Sequence, residues 1–205
     1  MDAATAAARV GRIGPNAITR VAQALTQREG APAARQLFER AGLLHHLQQP
    51  PQQMVDEAEV LRLHAALRQG RGREDAAAIA HAAGRLTAAY LLAHRIPKPL
   101  QAVLRHTPAR MAARVLLAAI RRNAWTFVGS GRFSAEVAGA GQRLAVLHVR
   151  DNPLCRGLSS PQPGCDFYAA TFEGLFAALV HPQARALEVA CAGCGDAECR
   201  FELRW

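Results

Sequence analysis

The chain has 205 residues, half of them hydrophobic and one fifth charged, with a net charge of +9. That length buries a full core in one domain, or at most two small ones, and the composition excludes a disordered or low-complexity protein. No run of about 18 apolar residues marks a bilayer span. Met1 to Thr5 lacks the basic segment that precedes the apolar stretch of a secretory signal, so a cytoplasmic protein with reduced thiols is expected.

Residues 14 to about 122 read as helical. Pro15 suits a first helical turn, and Ile18, Val21, Ala22 and Leu25 recur at helical spacing up to Gly30. A second helix is expected from Pro32 to Leu47, with Leu37, Phe38, Ala41 and Leu44 on its apolar face and Pro50 and Pro51 as its stop. Helices over 56–69 and, richer in alanine, over 74–94 follow. Pro97 and Pro99 break the pattern before a helix from Pro108 to Arg122.

Near Ala124 the character changes. Residues 125 to 133 are rich in aromatic, β-branched and glycine residues, which predicts a strand with a bend or bulge, and Leu144 to Val149 predicts a second strand. Asp166 to Val180 has a helical apolar face, and 186–190 and 200–203 read as two strands around a glycine-containing turn. The fold class is therefore α+β: a helical region over 1–122 packed on an antiparallel β-β-α-β-β unit over 123–205, together one compact unit.

All five cysteines lie between Cys155 and Cys199. Thiols placed for packing alone would be scattered, so the cluster reads as a metal site. The turn around Gly193 to Asp196 pairs the flanking strands and brings Cys191 towards Cys199, since cross-strand partners lie about 5 Å apart at Cβ. Soft thiolates favour zinc, which takes four ligands in structural sites. Cys165, at the start of a helix, is the natural third; Glu188, Cys194 and Cys155 compete for the fourth place. A redox role for Cys191-Ala192-Gly193-Cys194 is disfavoured because it lies in a hairpin turn and does not open a helix.

Cys165, followed by Cys191, an eight-residue step to Cys199, and Phe201, resembles the vinyl-4-reductase domain. Over the C-terminal part, Ala124 to Gly131, Asp151 to Leu154 and Thr171 to Phe176 resemble the bacteriochlorophyll-biosynthesis branch of that family. The resemblance implies a zinc site of Cys165, Glu188, Cys191 and Cys199, leaving Cys194 and Cys155 outside. In a flat strand, residues three apart face opposite ways, so Glu188 needs a bulge to join Cys191.

The resemblance further implies an accessory protein that binds a tetrapyrrole, a magnesium-porphyrin intermediate, in a pocket between helices and sheet. Candidate walls are Trp125, Phe127 and Phe133. Arg121, Arg122 and Arg132 are placed to meet ring carboxylates, and His94 or His81 to reach a central metal. The family name implies the alternative of a vinyl reductase acting on a divinyl chlorophyll precursor, and related sensor domains imply a small-molecule sensor module. Residues 129–134 only half fit a dinucleotide fingerprint and lack its strand-then-helix context, and no flavin motif replaces it. Expected partners are the tetrapyrrole and other bacteriochlorophyll-biosynthesis enzymes, with a homodimer left open. Nucleic acid is not expected, because the arginines form no basic block, zinc-finger spacing or ribonucleoprotein motif.

Overall fold

The computed structural model describes residues 11–139 and 141–205; the stretch read for a signal segment, Met1 to Thr5, lies outside them. A two-residue strand β1 (Arg12–Ile13) leads into α1 (Asn16–Glu29), which buries Ile18, Val21 and Leu25 at the expected spacing. Gly30 turns the chain into α2 (Ala31–Arg40). The helix expected over 32–47 stops early: Gly42 takes a φ of +68°, and the Leu43 N–H closes on the Phe38 carbonyl at 2.8 Å, a six-to-one cap that glycine favours. A single turn, α3 (His45–Gln48), follows.

Strand β2 (Val55–Asp56) pairs antiparallel with β1 and opens α4 (Glu57–Gln69), where the Asp56 carboxylate accepts the Ala58 N–H at 2.7 Å as an N-cap. The long α5 (Arg73–His94) comes next. By length and composition α5 could cross a membrane, yet it is the central helix, burying Ala76, Ile79, Ala83 and Ala88 against its neighbours. A helix that the sequence pattern missed, α6 (Lys98–His106), starts with Pro99 in its first turn, where proline is tolerated. Then comes α7 (Ala109–Arg122).

The strand expected over 125–133 is instead a 3-10 turn at 124–126 and a tight loop, with pairing beginning only at β3 (Arg132–Val137). Strand β4 (Leu144–Arg150), α8 (Asp166–Leu179), β5 (Arg185–Ala190) and β6 (Cys199–Arg204) complete the chain. The sheet is fully antiparallel in the order β3-β4-β6-β5. The buried face of β4 and β6 carries Ala145, Leu147, Val149, Cys199, Phe201 and Leu203.

Helix α8 fits between this sheet and α5 because small residues meet at the crossing. A Cβ on Gly84 would lie 2.3 Å from the Phe167 carbonyl oxygen, and one on Gly174 would lie 2.6 Å from the Ala88 Cβ. The Thr171 hydroxyl also donates to the Gly84 carbonyl at 3.2 Å. This close crossing seats the start of α8, and with it Cys165, against the sheet.

Candidate metal centre

Four sulfurs converge where α8 begins. Cys155 lies in the turn after β4, Cys165 just ahead of α8, Cys191 at the end of β5 and Cys199 at the start of β6, all buried. Cys199 Sγ lies 3.3 Å from Cys155, 3.7 Å from Cys165 and 4.0 Å from Cys191, and all four sulfurs fall within 4.8 Å of one another. A tetrahedral ion with metal–sulfur bonds of about 2.3 Å would hold its sulfurs about 3.8 Å apart. The four-thiol set therefore fits zinc in size and in donor chemistry.

The surrounding donors point at the sulfurs. The Asn152 side-chain amide donates to both Cys165 and Cys199 at 3.2 Å, while its oxygen accepts the Leu154 N–H at 2.9 Å and so fixes the turn that carries Cys155. The Ala192 N–H points at Cys199 Sγ at 3.4 Å. The turn between β5 and β6 is shaped by Asp196, which accepts the Cys191 N–H at 2.8 Å, and by Gly195 at φ +97°. Without a cation the cluster suppresses ionisation: the neighbouring Cys155, Cys191 and Cys199 sulfurs, with burial, push the Cys165 thiol well up. Cys155 and Cys191 likewise push Cys199 up. A bound dication removes that penalty, since metal binding deprotonates thiols.

Glu188 sits at the edge of this centre. The register of β5 against β6 shifts between Glu188 and Ala190, the bulge that its approach requires. One carboxylate oxygen accepts the Cys165 N–H at 2.8 Å; the other is buried with no partner. Burial raises its pKa to about 8. The structure thus brings Cys155 in to complete the four sulfurs and places Glu188 against the backbone of one of them. Cys194 is exposed on the hairpin turn. Cys155 had no spacing signal, because its proximity comes from the loop after β4.

Two residues that sequence reasoning missed complete the surroundings. Arg68 of α4 donates to the Leu154 carbonyl at 2.6 Å, its Nε is buried without a partner, and burial lowers its pKa while the cysteines act to raise it. Asn152 stood in a quoted stretch, Asp151-Asn152-Pro153, but only the fold shows that it spans two thiols.

The residues expected to wall a flat pocket are dispersed. Phe127 and Phe133 stack edge to face at 5.4 Å and join Tyr168, Phe172 and Phe201 in an aromatic cluster that fills the space between α8 and the sheet. Trp125 is 62% exposed, Arg121, Arg122 and Arg132 are exposed, and His94 stacks on Tyr90 at the outer end of α5. The two glycines flanking Ser130 do not face a phosphate. Cβ atoms there would strike the Glu57 carboxylate at Gly129 and the Arg150 carbonyl at Gly131. Concave space lies instead beside the metal centre. A hollow of about 340 Å³ bounded by His81, Arg73, Asp166 and Glu188 adjoins one of about 460 Å³ bounded by Arg68, Glu74, Leu158 and Ser160. Both share Arg73 and Gln162.

Residues 145–205, which span β4, α8, β5 and β6, match the vinyl-4-reductase domain family. Over 192 residues the chain is 40% identical to the bacteriochlorophyll synthase 23 kDa chain of Cereibacter sphaeroides, covering 94% of this chain and 90% of that one. This chain belongs to that family. The corresponding protein of Rhodobacter capsulatus is 38% identical, with 94% and 86% covered. An H-NOX protein from work on heme distortion superposes with a TM-score of 0.59 at 12% identity, over 94% of this chain and 95% of its own, a likeness of fold alone.

Proposed function

We propose that this vinyl-4-reductase-domain protein is an accessory tetrapyrrole-binding protein of bacteriochlorophyll biosynthesis, which holds or passes on a magnesium-porphyrin intermediate. The observation that carries this reading is the near full-length identity with the bacteriochlorophyll synthase 23 kDa chains. Their name also supports work alongside other enzymes of the pathway. The two adjoining hollows are the best-placed seat for the ring. His81 borders them as a ligand for the central magnesium, and Arg73 and Arg68 border them as partners for ring carboxylates.

Zinc belongs to the same proposal, held by Cys155, Cys165, Cys191 and Cys199. Zinc has no redox chemistry, and with four protein ligands it would be structural. These residues join the loop after β4, the start of α8 and the β5–β6 hairpin, so one ion would clamp three segments that border the hollows. Arg68 would offset part of the negative charge of four thiolates.

The opposing reading is a vinyl reductase acting on a divinyl precursor, supported by the match to the domain family. The loop that half fits a nucleotide fingerprint is occupied by Glu57, which weighs against it.

Titration of the purified protein with a magnesium porphyrin tests the proposal. Tryptophan emission should be quenched and the porphyrin band shifted, with Kd near micromolar, about 8 kcal/mol of binding. His81→Ala should weaken binding of the magnesium form more than that of the metal-free ring. Sustained conversion of divinyl to monovinyl pigment with NADPH by this protein alone would establish the reductase instead.

A further inference from the structure

The net charge of this protein has an address. Residues 76–135 contain nine arginines and lysines and no carboxylate, so the remainder of the chain, with sixteen of each sign, is neutral. The cations are not bunched; the acids are missing. Of these nine, only Arg132 enters an ion pair among the described residues, with Asp151 at 3.7 Å. Five of the six large hydrophobic side chains exposed on the described surface fall in the same segment: Leu100, Val103, Met111, Val115 and Trp125.

Both features lie on the outer faces of α6 and α7. Helix α7 turns Ala112, Ala113, Leu116, Leu117 and Ile120 to the core, so Met111 and Val115, one turn apart, face away from it, in the company of Arg114 and Arg122. Helix α6 buries Gln101 and Leu104 and exposes Leu100 and Val103.

We propose that α6 and α7, with Trp125 beyond them, dock this protein on an anionic lipid bilayer. The occupant of this face has to accept apolar side chains and offer negative charge over the length of two helices. The headgroup and acyl boundary of a bilayer does both: apolar side chains enter, arginines snorkel to the phosphates, and an exposed tryptophan sits at the interface. No carboxylate in the segment repels the lipid phosphates. The inference stands on charge and exposure, and does not depend on the tetrapyrrole reading.

Vesicle flotation of the full chain tests it. Binding to vesicles of phosphatidylcholine with phosphatidylglycerol should exceed binding to phosphatidylcholine alone and weaken with salt. The Arg114→Glu, Arg122→Glu pair should lower partitioning by at least roughly twenty-fold, at about fivefold for each charge removed. The Arg62→Glu, Arg200→Glu pair, exposed elsewhere and identical in net charge, should change it less than about twofold. Val103→Asp and Met111→Asp, on different exposed helix faces, should each reduce binding while thermal melting stays near wild type. Trp125→Phe should abolish a lipid-induced blue shift of emission. Equal loss in both arginine pairs would reduce the effect to bulk charge and overturn the docking face. Failure to float with anionic vesicles would overturn it too, as would self-association that Met111→Asp abolishes.

Discussion

The Glu57 carboxylate accepts both the backbone N–H of Ser130, at 2.7 Å, and its hydroxyl, at 2.6 Å, across 73 residues of chain. Arg156 adds a third bond at 2.8 Å. Burial opposes the charge, but Arg156 and both Ser130 bonds outweigh it and hold the carboxyl below its usual range. This cluster ties α4 to the loop that enters the sheet. Glu57→Ala leaves the Arg156 contact and the Ser130 N–H unpaired and is expected to cost about 2–4 kcal/mol in denaturant unfolding. A loss below about 0.5 kcal/mol would show that the cluster adds nothing to stability.

The α5–α8 crossing offers a second test. Gly84→Val puts side-chain atoms where the Phe167 carbonyl and Ala170 now stand. The backbones have to separate, at an expected cost of about 3 kcal/mol or more. Arg85→Ala, one residue along on the exposed side of α5, should stay within about 0.5 kcal/mol. Paired melting curves of the two variants make the comparison.

Metal analysis of protein purified without chelator should find about one zinc per chain. Cys155→Ser and Cys199→Ser should each lose most of it and at least about 3 kcal/mol of stability, whereas Cys194→Ser should lose neither. Glu188→Gln should keep the zinc. Loss of zinc in Glu188→Gln with retention in Cys155→Ser would put the carboxylate among the ligands in place of the fourth sulfur.

His64 sets an acid limit. It is fully buried on α4, with Nε2 donating to the Ala17 carbonyl at 3.1 Å, which fixes the neutral tautomer. Burial, with the Arg68 charge adding to it, lowers its pKa from 6.5 to about 3. Between those values the unfolded chain takes up a proton that the folded protein refuses, so stability is intact above about 6.5 and falls as pH drops towards about 3. The loss is at most about 5 kcal/mol. His64→Gln should flatten this part of the stability profile, measured by denaturant titration from neutral pH downwards. An unchanged slope would place the acid sensitivity elsewhere.

Periodic segments were legible from sequence because their apolar faces are local facts. Ile18, Val21 and Leu25 announce α1, and Leu144 to Val149 announces β4. The failures came from long-range causes. Residues 125–133 have strand-like composition, but Gly129, at φ +57°, is shaped by the approach of Glu57, a partner that no local window contains. Pro97 and Pro99 read as breakers although Pro99 sits where a helix tolerates it. At the metal centre the hairpin cysteines were visible as a spacing. Cys155 was visible only as a competitor, since the turn held by Asn152 is what brings it in.

The bulge between Glu188 and Ala190 has a consequence at the rim of the sheet. Strand β5 is an edge, and it exposes Leu187 at 66%. A flat apolar edge would be a template on which another copy could add a strand. The register shift interrupts the ladder one residue after Leu187, so the open N–H and C=O groups fall out of the even spacing that such addition needs. The irregularity that turns Glu188 inward thereby also keeps this border of the sheet from growing into an aggregate.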